Sequence, residues 1–169
     1  MISLLVAYTK DNRVIGAQGK IPWKLSSERN RFKAICSGKY VIMGRKSYEE
    51  IGHPLSYCTL VVVTKDSRIK SGNDTGAADC LFIVHSLEEA IDFCKAQGQD
   101  EILIAGGGTI YEQALPYADK IYATEIDADF EGDTFFPPLT DEWTGTVEET
   151  HEENGITYSY ITLQKADQS

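Results

Sequence analysis

Short apolar runs separated by polar segments recur along almost the whole chain. The runs are rich in β-branched residues and have the length of strands buried in a sheet. The segments between them carry helical spacing and helix-start signals. Alternating strands and helices predict an α/β fold, with a mainly parallel central sheet of about eight strands and about four flanking helices. The predicted strands are 2–8, 40–43, 59–64, 81–84, 101–105 and 120–126, and the predicted helices are 26–37, 44–51, 86–97 and 108–115.

Three local signals define the ends of these elements. Ser26 or Ser27 can cap the first helix, and Ser86 with Glu89 forms a capping box at the third. Near the C-terminus, Asn154-Gly155 is a hairpin turn between two β-rich stretches that span about residues 144–163. We therefore expect an antiparallel hairpin at the edge of the parallel sheet. The polar, Gly-rich stretch 65–79 is expected to be a surface connection.

Composition narrows the class of protein. A chain of 169 residues that is 42% hydrophobic and 25% charged is expected to fold as a single domain over residues 1–169. Its net charge of −10 makes nucleic acid an improbable partner. No apolar stretch is long enough to span a bilayer, and the N-terminal run lacks the features of a signal peptide. We expect a cytoplasmic monomer.

The four cysteines are widely spaced along the sequence. No two of them form a C-x-x-C pair, so a structural metal site is not expected. We expect free thiols, some of them buried, which suits a reducing compartment. The four cysteines are Cys36, Cys58, Cys80 and Cys94.

Three consecutive glycines, Gly106-Gly107-Gly108, follow a predicted buried strand and precede a helix. Such a stretch is costly to order, so one interpretation is that a ligand approaches the backbone there, with helix amides available to a pyrophosphate. The other is a tight strand-to-helix turn without a ligand. The motif is not the G-x-G-x-x-G pattern, and it leaves both interpretations open.

Basic residues lie at two other predicted strand ends. Gly44-Arg45-Lys46-Ser47 follows one strand, and Thr64-Lys65 ends the next. Ligands of open α/β sheets collect outside the carboxyl ends of strands, so phosphate binding is one interpretation. A solvated basic turn is the alternative for each motif taken alone.

Glu28 is a candidate catalytic acid. It lies in the first turn of a predicted helix and shares a face with Phe32 and Ile35, four and seven residues further on. A carboxylate there is either a solvated residue that favours the helix start, or a partly buried acid that needs a donor partner. The residues alone leave both open.

Several motifs in register resemble the dihydrofolate reductase family from about residue 2 to 163. The front half resembles it in Ile21-Pro22-Trp23, Glu28, Phe32 and the stretch 41–45. The back half does so in 105–108 with 110–112, 124–126, 131–134 and Phe136-Pro137. The resemblance implies the family's α/β fold and the reduction of 7,8-dihydrofolate with NADPH.

The resemblance also implies roles for individual residues. Glu28 would hydrogen-bond the pterin ring and favour its protonated form, Trp23 would orient a water that donates the proton, and Thr124 would hold the carboxylate. Further residues would contact the substrate, with Val6 and Ala7 beside the pterin and nicotinamide and Tyr111 near the reacting rings. The remaining substrate-binding residues would be Phe32, Ile51 and Leu55.

For the cofactor, the resemblance implies NADPH rather than NADH. Arg45 and Lys46 would contact phosphate, and Thr64 and Lys65 the adenosine 2′-phosphate. Residues 16–21 resemble a mobile loop that closes over nicotinamide, and Gly106-Gly107 resembles the family's cis peptide. The other implied cofactor-binding residues are Ala7, Ile15, Gly16, Ile21, Gly44, Ser47, Gly108, Thr109, Ile110 and Tyr111.

One position departs from the family pattern. Cys58 stands where the family usually has an arginine that pairs with the folate α-carboxylate, a contact worth ~1.5–3 kcal/mol. Arg29 and Lys33 could bind the benzoyl-glutamate tail instead, or both could be solvated helix cations. A reductase of a tail-less dihydropterin therefore stays open as an alternative, as does a non-catalytic NADPH-binding paralogue.

Overall fold

The computed structural model describes residues 1–16, 23, 25–51, 55–65, 72–73 and 81–165, with backbone alone at 72–73. Eleven strands, four α-helices and one 3₁₀ turn lie in these ranges. In chain order they are β1 (Ile2–Thr9), β2 (Val14–Gly16), α1 (Ser26–Cys36), β3 (Tyr40–Gly44), α2 (Arg45–Ile51), β4 (Thr59–Val63), β5 (Gly72–Asn73), β6 (Leu81–Val84), α3 (Leu87–Ala96), β7 (Ile102–Ile104), α4 (Gly108–Ala114), the 3₁₀ turn (Leu115–Tyr117), β8 (Lys120–Asp127), β9 (Thr134–Phe135), β10 (Trp143–Glu153) and β11 (Ile156–Lys165).

Nine strands form one sheet in the order β10-β11-β8-β1-β7-β3-β4-β6-β5. The six strands from β8 to β6 are mutually parallel. The hairpin β10-β11 pairs antiparallel against β8, and the two-residue β5 pairs antiparallel at the opposite edge. The predicted mainly parallel sheet with a terminal hairpin is confirmed. The short strands β2 and β9, which were not predicted, pair separately.

The sheet is covered on both faces, as its continuous apolar strands require. Along β1, Leu4 and Val6 belong to one buried cluster and Leu5 to the other. Helix α3 contributes Leu87, Ala90, Ile91 and Cys94 to the first cluster, whereas Phe32 and Ile35 of α1 pack against the second. Helix α1 therefore lies against the sheet with the side that carries Glu28, Phe32 and Ile35.

The capping prediction is confirmed for one helix and wrong for another. Ser86 Oγ accepts the amide of Glu89 at 3.0 Å, and the Glu89 carboxylate accepts the amide of His85 at 2.9 Å. At α1, the capping position is Leu25, and neither Ser26 nor Ser27 caps it. The free amides of that helix are bound instead by a carboxylate from a distant strand, described below.

The hairpin turn is confirmed and the hairpin is longer than predicted. Asn154 and Gly155 both have positive φ, 55° and 78°, as a type I′ turn requires. Strand pairing extends from Trp143 opposite Lys165 to the turn. Pro116, predicted to end α4, lies in the 3₁₀ turn that follows it.

Two other expectations are tested only in part. Of the predicted surface connection 65–79, only Lys65 and the β5 residues lie within the described residues. Cys36, Cys58 and Cys94 are buried and form no disulfide, as expected, and Cys80 lies outside the described ranges. Within the described ranges, no three His, Cys, Asp or Glu side chains are placed to hold a metal ion. No described helix is long and apolar enough to cross a membrane.

Candidate active site

The Glu28 carboxylate is bound by a buried threonine of the sheet. Thr124 Oγ1, in β8, donates to Glu28 Oε2 at 2.8 Å, and Thr124 is fully buried. Burial raises the pKa of Glu28 above its ordinary value, while the Thr124 hydrogen bond and the Arg31 charge oppose that rise. Of the two interpretations of Glu28, the structure supports the partly buried acid with a donor partner.

Arg31 is a residue of this site that the sequence analysis did not single out. Its Nη1 donates to Thr124 Oγ1 at 3.0 Å and to the Ala123 carbonyl at 3.2 Å, and its guanidinium carbon lies 4.1 Å from the ring centroid of Tyr160. The only local signal was its position three residues after Glu28, which places both on one helix face. That signal could not show that β8 lies opposite.

Helix α1 is held at its start by the hairpin. Both carboxylate oxygens of Glu153 are used, because one accepts from the amide and hydroxyl of Ser26 and the other from those of Ser27. These hydrogen bonds hold the pKa of Glu153 below its ordinary value. Ser27 also hydrogen-bonds the hydroxyl of Tyr158 in β11. The first turn of α1, and Glu28 with it, is therefore fixed relative to β10 and β11.

Trp23 lies in a third apolar cluster beside this helix start. The cluster contains Leu25, Ile126, Tyr158 and Tyr160, and the indole is 5.6 Å from the ring of Phe130. Trp23 is 6% exposed. The structure thus brings Trp23 to the same end of β8 and β11 as Glu28 and Thr124. Its predicted role toward a water stays a prediction.

Most of the residues predicted to contact the pterin lie in the central sheet or pack against it. Ala7 is opposite Thr124 in the β1-β8 register, and Val6 precedes it in β1. Tyr111 is buried and donates its hydroxyl to the Leu5 carbonyl at 2.7 Å. Burial, followed by the Glu28 charge, raises the pKa of Tyr111 far above its ordinary range. Phe32, Ile51 and Leu55 all pack against the second apolar cluster, which contains Leu5.

The glycine motif connects β7 to α4 and hydrogen-bonds the carboxyl end of β3. Gly106-Gly107 is a cis peptide, Gly106 has φ 114°, and its carbonyl accepts the amide of Gly44 at 2.7 Å. A Cβ on Gly106 would lie 3.1 Å from the Tyr111 ring, and one on Gly107 would lie 3.2 Å from Ser47 Oγ. The glycines thus allow two strand ends and α4 to approach closely. Contact with a ligand at Gly106 to Gly108, Thr109 and the buried Ile110 stays a prediction.

The predicted phosphate-binding cations occupy adjacent strand ends. Arg45 and Lys46 follow β3, Lys65 follows β4, and all three are exposed, whereas Thr64 is buried. Arg45 also forms a 2.8 Å ion pair with Glu49 one turn further along α2. Because the two strands are parallel neighbours, their ends bring these groups to one edge of the sheet. Cationic and amide donors there, in a chain of net charge −10, suit an anionic phosphate ligand.

The remaining predicted residues are placed as follows. Arg29 and Lys33 are exposed, and Lys33 Nζ is 5.7 Å from the ring centroid of Tyr57. Cys58 is 6% exposed within the second apolar cluster. Ile15 and Gly16 lie in β2, and Ile15 Cδ1 is 3.8 Å from where a Cβ on Gly108 would be. Ile21 and most of the 16–21 loop lie outside the described residues.

A mainly parallel sheet with a threonine-bound carboxylate beside one strand end and exposed cations at neighbouring strand ends is an arrangement typical of α/β enzymes. Comparison with known proteins specifies the family. The dihydrofolate reductase family model matches residues 1–165, and the chain belongs to this family.

Individual dihydrofolate reductases are similar in sequence to this chain over most of its length. The dihydrofolate reductase of Bacillus subtilis (strain 168) is 36% identical over 100% of this chain and 97% of its own length. Dihydrofolate reductase type 3 of Salmonella typhimurium is 36% identical over 98% and 99% of the two chains. The dihydrofolate reductase of Haemophilus influenzae is 40% identical over 83% of this chain and 82% of its own length.

Proposed function

We propose that this chain reduces 7,8-dihydrofolate to 5,6,7,8-tetrahydrofolate with NADPH, using Glu28 as the carboxylate that binds and polarises the pterin. Family membership supports the reaction. The observation that carries the residue assignment is the hydrogen bond from the buried Thr124 to Glu28, next to Ala7 and Tyr111. A half-buried carboxylate with one fixed donor has a free oxygen for a substrate's amino and ring N–H groups.

Glu28 acts through its charge. An anion beside the pterin ring favours the ring's protonated form, and protonation makes the adjacent carbon a better hydride acceptor. Thr124 holds the carboxylate in place, so the site needs little reorganisation during the reaction. Trp23 orients the water that delivers the proton, and its buried position beside α1 supports that role.

NADPH supplies the hydride. Arg45, Lys46 and Lys65 bind its phosphates, and Thr64 with Ser47 provides hydroxyl donors at the same strand ends. The backbone of Gly44, the glycine motif and Thr109 would contact the bound cofactor. The residues that would lie beside its nicotinamide are Ala7, Ile15, Gly16, Ile110 and Tyr111. The cluster of cations in an acidic chain supports this assignment.

The glutamyl tail of the substrate is bound by Arg29 and Lys33. Both are exposed on the helix that carries Glu28, and Lys33 lies above the ring of Tyr57, next to the buried Cys58. Because Cys58 lies in the apolar cluster, the exposed cations of α1 are the proposed partners of the tail carboxylates.

The protein acts as a monomer in the cytoplasm, with no nucleic acid partner. Its three described cysteines are buried and form no disulfide, which suits a reducing compartment, and its net charge of −10 repels polyanions. Size-exclusion chromatography with light scattering tests the oligomeric state. A dimer peak at working concentrations would contradict it.

The proposed reaction is tested by following NADPH oxidation with 7,8-dihydrofolate and identifying the product by mass. We expect stoichiometric tetrahydrofolate. Tight NADPH binding without dihydrofolate reduction would contradict the proposal, and equal activity with a tail-less dihydropterin would contradict the tail assignment alone.

A further inference from the structure

Arg31, Thr124 and Glu28 form a directed chain of hydrogen bonds. Arg31 Nη1 donates to Thr124 Oγ1 at 3.0 Å, and the same hydroxyl donates to Glu28 Oε2 at 2.8 Å. A guanidinium has donors only, so Thr124 must be the acceptor in the first bond. Its one proton is then free to point at Glu28. Arg31 thus determines the direction of the hydroxyl.

Arg31 is itself fixed on two further sides. It donates to the Ala123 carbonyl at 3.2 Å, and it stacks on Tyr160 at 4.1 Å. Its side chain is half-buried, and one hydroxyl separates it from the carboxylate. A positive charge that is separated from the carboxylate by one hydroxyl disfavours the addition of a proton to Glu28 or to a ring bound to it.

Other titratable groups surround this chain. Tyr111 of α4 and Tyr160 of β11 have raised pKa values, mainly because of burial, and stay neutral in the physiological range. Glu153 of β10, whose pKa is lowered, stays anionic at the helix start.

Tyr158 of β11 also packs there, and His151 of β10 stacks on Tyr158 and Tyr160, with ring centroids 5.7 Å and 5.2 Å away. Arg29 lies on α1 itself. Because His151 stacks on both tyrosines, it needs its own control.

We propose that Arg31 is a positioning residue of this active site, which turns the Thr124 hydroxyl toward Glu28 and, through its charge, lowers the pH at which the site and its substrate gain a proton. This inference rests on the proposed function. It concerns how the reaction depends on pH, so it can fail while the reductase activity stands.

The direction of the effect follows from the charge. Turnover needs a protonated pterin and so falls as pH rises through the apparent pKa of the complex. Removing the Arg31 charge makes protonation easier, so that apparent pKa rises and activity extends to higher pH. For a bridged, partly exposed pair we expect about 0.5–1 pH unit.

The test measures kcat and KM for dihydrofolate between about pH 5 and 9. NADPH deuterated at the transferred position reports whether hydride transfer limits the rate. Arg31→Met removes the charge and the donors, Arg31→Gln removes the charge and keeps a donor, and Arg31→Lys keeps the charge. Lys95→Met, on the exposed side of α3, controls for net charge, and His151→Asn controls for the imidazole.

We expect the kcat profile to move upward in pH for Arg31→Met and Arg31→Gln, and to stay at the parent position for Arg31→Lys, Lys95→Met and His151→Asn. A ¹³C NMR titration of labelled glutamate, assigned with Glu28→Gln, should show Glu28 moving in the same direction without cofactor. Unchanged profiles in folded neutral variants would overturn the proposal and leave Arg31 a packing role. An equal displacement in Arg31→Lys would show that charge is not the cause. If Arg31→Met does not fold, Arg31→Gln decides.

Discussion

The carboxylate of Glu153 accepts the backbone amide of Ser26 at 2.7 Å, which ties the end of the C-terminal hairpin to the start of helix α1. The second oxygen accepts the amide of Ser27 at 3.3 Å. Glu28 follows directly. A residue 127 positions away in sequence therefore caps the helix that carries Glu28, the proposed catalytic carboxylate.

Glu153→Gln should lower the melting temperature at neutral pH and reduce kcat, because the first turn of α1 loses its anionic partner. The pKa of Glu153 is lowered on folding, so its stabilisation is present above the pKa of an unfolded glutamate and is lost as pH falls through the folded value. The difference between parent and variant should shrink in acid. Thermal unfolding at pH 7 and at about pH 4 measures this.

Glu152→Gln is the matched control, since it removes the same charge from the neighbouring, exposed position of β10. Equal melting temperatures for the parent and Glu153→Gln at pH 7 would refute the cap.

A second prediction concerns Glu101, which joins strands β1 and β8 to the segment between α1 and β3. It accepts hydrogen bonds from Ser3, Lys39 and Tyr122 at 2.7–2.9 Å. Burial raises its pKa, but these bonds outweigh burial, and the pKa is lowered. Glu101→Gln should cost about 1–2 kcal/mol of unfolding free energy at pH 7, because the partly exposed pair is screened.

The loss for Glu101→Gln should decrease as pH falls through the folded pKa of the carboxyl, because the parent then loses the same charge. Urea unfolding measures it, with Asp100→Asn, an exposed neighbour, as the control. A pH-independent difference would mean that the charge of the Glu101 carboxylate does not contribute to the loss.

Lys65→Ala should weaken NADPH selectively. If the ammonium of Lys65 binds the 2′-phosphate, the variant should lose roughly 1–2 kcal/mol of binding free energy for NADPH. The loss should be near zero for NADH, because NADH lacks that phosphate. Fluorescence titration with both cofactors measures the two affinities. Lys95→Ala is the control for overall charge, and an equal loss for both cofactors would exclude Lys65 as the 2′-phosphate residue.

Arg29→Leu should raise the KM for dihydrofolate. The rise should correspond to a loss of ~1–2 kcal/mol in apparent binding free energy, because the exposed charge pair is screened by salt. A tail-less dihydropterin should be unaffected. Asn30→Leu adds the same side chain at the adjacent exposed position and removes no charge. If Arg29→Leu affects both substrates alike, Arg29 does not bind the tail.

The strands and the α/β order could be predicted because they depend on local pattern. The β-branched run Thr59–Val63 and the Asn154-Gly155 turn each determine their own conformation. The Ser86 capping box is also local, and its prediction is confirmed. At α1, the local sequence predicts the helix but not its cap, because the amides of Ser26 and Ser27 donate to the carboxylate of Glu153 in the hairpin.

The site was predictable to the extent that motifs matched the family. Glu28 and Thr124 lie together as the resemblance implied. Arg31 was missed because its contacts are with β8 and β11, and only the folded sheet places those strands over this turn of α1. A pattern of spacing along one helix contains no information about that neighbour.

Glu28→Gln tests most directly whether the charge of Glu28 promotes the reduction of dihydrofolate. The measurement is the rate of hydride transfer in single turnovers of the NADPH complex across pH. We expect a loss of ~10²–10⁴-fold near neutral pH, shrinking in acid as solvent protonates the substrate, with NADPH affinity unchanged. Hydride transfer near the parent rate at neutral pH would show that Glu28 is not the catalytic carboxylate.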